Sequence, residues 1–284
     1  MSPPMPRRRF KQVDVFTAVP YHGNALAVVL DGADLDTPGM QRFTDWTNLS
    51  EATFLLPPTH AQADYAVRIF CPGRELPFAG HPTLGSCHAW LEAGGTPKGD
   101  TVVQQCEAGL IRIRRDGGRL AFAAPPLLRS GPLPEEDVAL LARGLGLERR
   151  DIVAHAWCNN GPEWQGLLLD SADRVLAARP DPVVLRDRFV GIVGPHAPGG
   201  GEVDFEVRAF FPGQGGVTED PVTGSFNAAL GQWLIGTGRA QDRYVASQGT
   251  ALRRRGRVYL ERDARGETWV GGHSVTCIEG SVLL

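Results

Sequence analysis

What this 284-residue chain lacks narrows its chemistry first. Its five cysteines, Cys71, Cys87, Cys106, Cys158 and Cys277, are odd in number and scattered, with no Cys-x-x-Cys spacing. Neither a disulfide framework nor a structural zinc site is indicated. The seven histidines form no His-Glu-x-x-His pair, so no metal ligand set is expected. A phosphate-binding loop and a strand-anchored Gly-x-Gly-x-x-Gly are both missing, and the glycines at 199–201 read as a linker. No nucleotide cofactor is expected. Neither sign of charge dominates, with 29 basic against 32 acidic residues and a net charge of -3, so no field recommends nucleic acid or an anionic membrane as partner. No apolar run approaches a bilayer span, and the first ten residues lack the apolar core of a signal peptide. A cytoplasmic protein working through its own side chains is expected.

What the chain does contain is one passage written twice, about 140 residues apart. Residues 64–92 read DYAVRIFCPGRELPFAGHPTLGSCHAWLE, and residues 204–234 read DFEVRAFFPGQGGVTEDPVTGSFNAALGQWL. Asp64 answers Asp204, Arg68 answers Arg208, His81 answers Asp220 and Ser86 answers Ser225. Two copies are too few and too long for a solenoid, so the repeat predicts two similar domains with a cleft between them. The length suffices for two cores. The Pro125-Pro126 to Pro134 stretch marks the boundary, giving 1–124 with about 272–284 as one domain and 125–271 as the other.

Periodicity predicts short strands with few helices. Phe10 to Phe16 alternates, and Ala25 to Leu30 is a continuous apolar run after a turn at His22-Gly23-Asn24. Thr37-Pro38 reads as N-cap and first residue of a helix to Trp46. Strands are expected at Ala52–Leu56, Asp64–Phe70, Thr101–Gln105, Gly109–Arg115 and Arg119–Ala123, and helices at Pro82–Glu92 and Pro134–Gly144. Strands and helices mix without strict alternation, which predicts an α+β fold with largely antiparallel sheet. The two repeat helices are apolar on most faces despite interior glycines, so each is expected at the centre of its sheet. Their N-termini carry unpaired N–H groups suited to a small carboxylate.

NLSEATF at 48–54, RIFCPGRELPFAGHPTLG at 68–85 and EDPVTGS at 219–225 resemble the signatures of the PhzF-like isomerases, the phenazine-biosynthesis family. HGNALAVV at 22–29 and CNNGPEWQGLLL at 158–169 extend the resemblance over nearly the whole chain. It implies a fold shared with diaminopimelate epimerase: two pseudo-symmetric domains, each a barrel-like sheet around a central helix. An active site between them and a homodimer are implied as well. The last strand, around Ser274 to Leu284, is then expected to return to the first domain.

By the same resemblance Glu51 moves a proton between carbons of a small cyclic or amino-acid-like carboxylic acid, without a cofactor. Enclosure raises such a carboxyl toward neutrality and lets it act as base and acid in turn. His81 and Asp220 are assigned to the substrate's polar groups and to tuning that proton, with Asp220 also a helix N-cap. Ser225, with the N–H groups near Gly80 and Gly224, is assigned to the substrate carboxylate. Ser50 and Asn24 are further binding candidates, and Asn160 a weaker one. Arg68 and Arg208 are expected to hold the motif loops by pairing with Glu75, Asp204 or backbone carbonyls. Trp157, Trp164 and Phe226 suit either pocket wall or core.

Epimerases of this fold need two opposed thiols. The motif cores here hold none, and the equivalents of Cys71 and Cys87 in the other copy are Phe211 and Phe226, so both are read as buried small hydrophobes. A thiol racemase is therefore disfavoured. A non-catalytic binder of an acidic metabolite remains an alternative, because function lives in the site rather than the fold. The resemblance leaves open whether the substrate is dihydro-hydroxyanthranilate.

Overall fold

The computed structural model describes residues 6–199, 201–213 and 216–284. Gly200 of the expected linker, Gln214 and Gly215 of the second repeat copy and the first five residues lie outside them. The chain divides into two compact units, Met1–Ala123 with Gly271–Leu284, and Ala124–Val270.

The first unit runs β1 (Arg7–Val15), β2 (Asn24–Val29), α1 (Thr37–Thr47), β3 (Glu51–Leu56), β4 (Tyr65–Cys71), β5 (Arg74–Leu76), α2 (Gly80–Glu92), β6 (Val102–Cys106), β7 (Gly109–Asp116) and β8 (Arg119–Ala123). The second runs α3 (Glu135–Leu145), β9 (Ile152–Asn159), β10 (Glu163–Leu169), α4 (Ala172–Ala177), β11 (Val190–Pro195), β12 (Phe205–Gly213), β13 (Gly216–Asp220), α5 (Gly224–Gly236), β14 (Arg243–Gln248) and β15 (Gly256–Arg262). The chain then passes through β16 (Thr268–Gly272) to β17 (Ser274–Leu283), which lies antiparallel along β1.

Strand pairing repeats step for step. In the first unit β1–β2 is antiparallel, β2–β3 parallel, β3–β4 and β4–β5 antiparallel, β4–β6 parallel and β6–β7 antiparallel. In the second the same sequence of senses joins β9–β10, β10–β11, β11–β12, β12–β13, β12–β14 and β14–β15. The result is the α+β, mostly antiparallel architecture expected from the sequence.

The repeat helices are buried on every side, as their apolar sequences require. α2 buries an unbroken run from Gly80 to Cys87 and touches β1, β2, β3, β6, β8 and β17. Gly85 explains its place there: a Cβ would stand 2.6 Å from Leu26 Cδ2 and 2.9 Å from Val15 Cγ2, so only glycine lets helix and sheet approach so closely. α5 buries all but a few of its residues, from Gly224 to Ile235. Outside the first sheet, α1 packs Met40 and Phe43 on Ala27, Ala52, Phe54 and Phe70. Phe10, Phe43, Phe54 and Phe70 meet edge to face, at 5.7–6.2 Å between neighbours, the geometry aromatic quadrupoles favour.

Element ends differ from expectation in informative ways. α1 is capped by Asp36, whose carboxylate accepts from Gly39 N, and not by Thr37; Asp36 is the residue left in extended conformation before the helix. The helix expected at Pro82 begins two residues earlier, at Gly80. Arg253 to Arg255 form the turn into β15.

Candidate active site

α1 ends at Asn48, whose left-handed conformation (φ 56°) reverses the chain so that Ser50 lies in the turn and Glu51 opens β3. Short polar Asn is among the few side chains that tolerate that region. Glu51 lies opposite Leu26 of β2, and its carboxylate Oε2 lies 3.3 Å from Nε2 of His81, the second residue of α2. Burial pushes His81 down to about 3, so the imidazole is neutral at ordinary pH. Asn24, also buried, places its amide nitrogen 3.5 Å from His81 Nδ1, at the outer limit of a hydrogen bond. An amide N–H facing Nδ1 selects the tautomer with its proton on Nε2, the ring nitrogen nearer Glu51 Oε2, although the two atoms stand within ion-pair distance without the alignment of a hydrogen bond. The structure thus brings Asn24, Glu51 and His81 together at the start of α2, with Ser50 and Gly80 beside them in sequence.

One residue behind this cluster, Asp14, gives no warning in the sequence. Asp14 is buried in β1, and its Oδ2 accepts from His22 N (2.8 Å) and Gly23 N (3.0 Å), folding the turn that delivers Asn24. A Cβ on Gly23 would fall 2.0 Å from Val15 O, so no other residue fits that turn. Behind Glu51, Ser86 Oγ donates to Thr53 Oγ1 (2.9 Å), anchoring β3 to α2.

In the second unit Ser225 is the second residue of α5. Its hydroxyl accepts from the Trp164 indole N–H (3.0 Å), and its carbonyl accepts from Asn160 Nδ2 (2.8 Å). Gly224 is buried at the start of the helix, and Asp220 closes β13. Trp164 and Phe226 are core, 5.4 Å apart, and Trp157 is buried under the Arg129 guanidinium at 3.6 Å.

The hairpin register corrects the residue-by-residue matching of the two copies. In the first hairpin Phe70 pairs with Glu75 and Ile69 with Leu76; in the second Phe210 pairs with Glu219 and Ala209 with Asp220. Three residues follow in each before Gly80 or Gly224 opens the helix. Glu-Leu-Pro-Phe-Ala-Gly-His therefore superposes without a gap on Glu-Asp-Pro-Val-Thr-Gly-Ser. Asp220 matches Leu76, and His81 matches Ser225, not each other. Nor does Asp220 cap α5, because Thr223 occupies that position. Ser86 lies inside α2 and has no bearing on Ser225. By the same register Ala52 matches Val190, so Glu51 matches Phe189. The titratable pair of the first unit is replaced in the second by phenylalanine and serine.

The arginine clamps obey the repeat. Arg68 holds both Glu75 oxygens through Nε and Nη2 and stands 5.0 Å over Phe70; Arg208 holds Glu219 likewise and stands 5.0 Å over Phe210. Arg208 also caps the end of α4 by donating to Val175 O and Ala178 O. Glu219, not Asp204, is its acidic partner. Asp204 instead accepts from Val245 N.

No thiol is activated. Burial pushes Cys87 and Cys158 up to about 12, and Cys71, Cys106 and Cys277 are raised by the same cause. Cys87 is fully buried, but Cys71 is only half-buried, in the β4–β5 hairpin, with its thiol directed at Arg74 O; it is not the core residue expected. Among the described residues no three His, Cys, Asp or Glu side chains cluster to hold a metal, and no helix is long and apolar enough to cross a membrane.

Comparison with known proteins agrees with this architecture. The family described as phenazine biosynthesis-like protein matches residues 13–280. The chain is 34% identical over 304 residues to antisense-enhancing sequence 1 of Schizosaccharomyces pombe, covering 99% of this chain and 100% of that one. It is 31% identical over 288 residues to trans-2,3-dihydro-3-hydroxyanthranilate isomerase of Pseudomonas aeruginosa, covering 97% and 99%. Among solved structures, the PhzF family protein of Bacillus anthracis has the same fold, with a TM-score of 0.81 at 22% identity over 99% of this chain and 100% of that one. With that fold repeated in both units, the chain belongs to the phenazine biosynthesis-like (PhzF) family of isomerases.

Proposed function

We propose that the protein isomerises a small unsaturated carboxylic acid by moving one proton between carbons, with Glu51 as the general acid/base and no cofactor taking part. The observation that supports this most is the Glu51–His81 contact of 3.3 Å, in which the imidazole is buried and neutral. A neutral imidazole beside the carboxylate brings no positive charge that would hold it ionised, so Glu51 can take up a proton and return it. Asn24 fixes the tautomer of that imidazole, and Ser50 and Gly80 border the same site. His81 and Glu51 have no titratable counterpart in the second unit, where Ser225 and Phe189 stand. That favours a single base over the paired bases of a racemase. Asp220, Gly224 and Ser225 are assigned to binding the substrate's polar groups.

The isomerase relative from Pseudomonas aeruginosa supplies the first substrate to try, trans-2,3-dihydro-3-hydroxyanthranilate. Following its conversion chromatographically, Glu51→Gln should lower kcat by about 10²–10⁴ and change KM little. His81→Gln should lower kcat less. Turnover by Glu51→Gln at the parent rate would remove Glu51 from the chemistry. A parent protein that binds carboxylates and converts none across a panel of cyclic and amino-acid-like acids would favour the binder.

A further inference from the structure

We propose that Gln248 is a positioning residue for the substrate-binding segment Asp220–Ser225; the proposal rests on the assignment of Asp220 and Ser225 given above. Gln248 is the last residue of β14 and wholly buried. Its Oε1 accepts from Thr223 N (3.0 Å) and Asn227 Nδ2 (2.8 Å), and its Nε2 donates to Asp220 O (3.1 Å) and Thr223 Oγ1 (2.8 Å). One side chain therefore meets the last residue of β13, the N-cap of α5 and the first turn of that helix. Every hydrogen-bonding position of the amide is taken, and the pattern of two acceptors and two donors fixes which way it faces. A buried network completed in this way rigidifies what it joins.

The neighbouring glycines show how closely the segment is held. Gly249 follows in left-handed conformation (φ 92°), and a Cβ there would stand 2.7 Å from Pro221 O; at Gly256 it would stand 2.4 Å from Val222 Cγ2. The path from Asp220 to Thr223 is thus gripped by the Gln248 amide and by two backbones with no room for a side chain. Thr223 offers its hydroxyl to Gln248 and makes no side-chain cap to α5. Gln248 instead takes up the N–H of the N-cap residue Thr223, as the acidic residue of a capping box would, together with the Asn227 side-chain amide. Asp220 and Ser225 flank this grip on either side.

The test compares Gln248→Met, close in volume but without the amide, with the parent. Hydrogen exchange of 220–227 should rise at least tenfold while that of 230–236 in α5 stays unchanged. KM should rise roughly tenfold, the loss expected for hydrogen bonds to one loop, with kcat within about twofold. Unchanged exchange at 220–227, or an unchanged KM, would overturn the proposal. Gln248→Glu gives a second reading. Its ionised carboxylate keeps the acceptor and lets the Thr223 hydroxyl turn to donate, but faces Asp220 O with no proton. Its KM should therefore improve on acidification, as protonation restores the donor, whereas the parent's should not; a flat profile counts against the assignment. Asp220→Asn and Ser225→Ala separate the two claims. If neither alters KM, the binding role of those residues falls, while the exchange data still decide whether Gln248 holds the segment.

Discussion

The repeated arginine clamp offers a controlled experiment within one chain. Arg68–Glu75 and Arg208–Glu219 share motif, hairpin position and aromatic neighbour, but differ in burial: the side chains are 27% and 27% exposed in the first pair, 6% and 13% in the second. A partly solvated pair is worth about 1 kcal/mol or less, since water screens the attraction and solvates whatever is left when one partner goes. In the second pair, Glu219→Gln strands a guanidinium that water reaches poorly. Val175 O and Ala178 O still accept from it, but no negative charge remains. Breaking a buried pair in this way costs about 3–5 kcal/mol, and the two remaining carbonyl contacts favour the lower end. Glu75→Gln should thus cost about 1 kcal/mol and Glu219→Gln about 3 kcal/mol, a difference near 2. Urea unfolding followed by circular dichroism, with tryptophan fluorescence as a second probe, measures both. Each variant should shift the transition of its own unit if the units unfold separately. Equal costs would refute the reasoning that burial rather than motif sets the strength of the clamp.

Three further outcomes follow from the same geometry. His81 is held below its ordinary value near 6.5, so its contribution to stability is fully present above that pH and is lost as pH falls toward about 3. Between pH 7 and 5 this amounts to about 2 kcal/mol at most, because the Glu51 carboxylate works the other way; His81→Gln should show that much less acid sensitivity in urea midpoints, and parallel profiles would contradict a neutral imidazole. Gly191→Ala would put a Cβ 2.0 Å from the Phe226 ring and should destabilise by about 1–3 kcal/mol, or more if the ring cannot turn; a cost under about 0.5 kcal/mol would show that α5 yields. Iodoacetamide, with labelling followed by mass spectrometry, should modify Cys71 only slowly and leave activity intact, and loss of activity in step with labelling would revive a thiol mechanism.

How far the sequence reveals this molecule depends on which interactions are local. The two units were legible because strand, hairpin and helix recur with the same residue types, and alternation fixed their elements. Register was misread because the hairpins differ in length: Arg68 and Glu75 are seven residues apart, Arg208 and Glu219 eleven. An alignment anchored on His-Pro with Asp-Pro and on Gly-Ser slides past the true anchor, Glu-x-Pro-x-x-Gly. Glu51, His81 and Asn24 lie in separate motifs, and resemblance rather than spacing connected them. Gln248 and Asp14 were invisible for a physical reason. A glutamine ending a strand has no periodic signature, and its partners stand 21 to 28 residues away, so only the folded chain shows that its amide is spent on them. Asp14 looked like one polar step in an alternating strand, while its carboxylate reaches the turn eight residues on.

Proton movement by Glu51 is the central claim, and proton NMR in deuterium oxide tests it most directly. Incubated with trans-2,3-dihydro-3-hydroxyanthranilate, the parent protein should yield an isomer carrying deuterium at the carbon that gains the proton, and Glu51→Gln should yield neither isomer nor label. Undiminished isomerisation and labelling by Glu51→Gln would contradict the account.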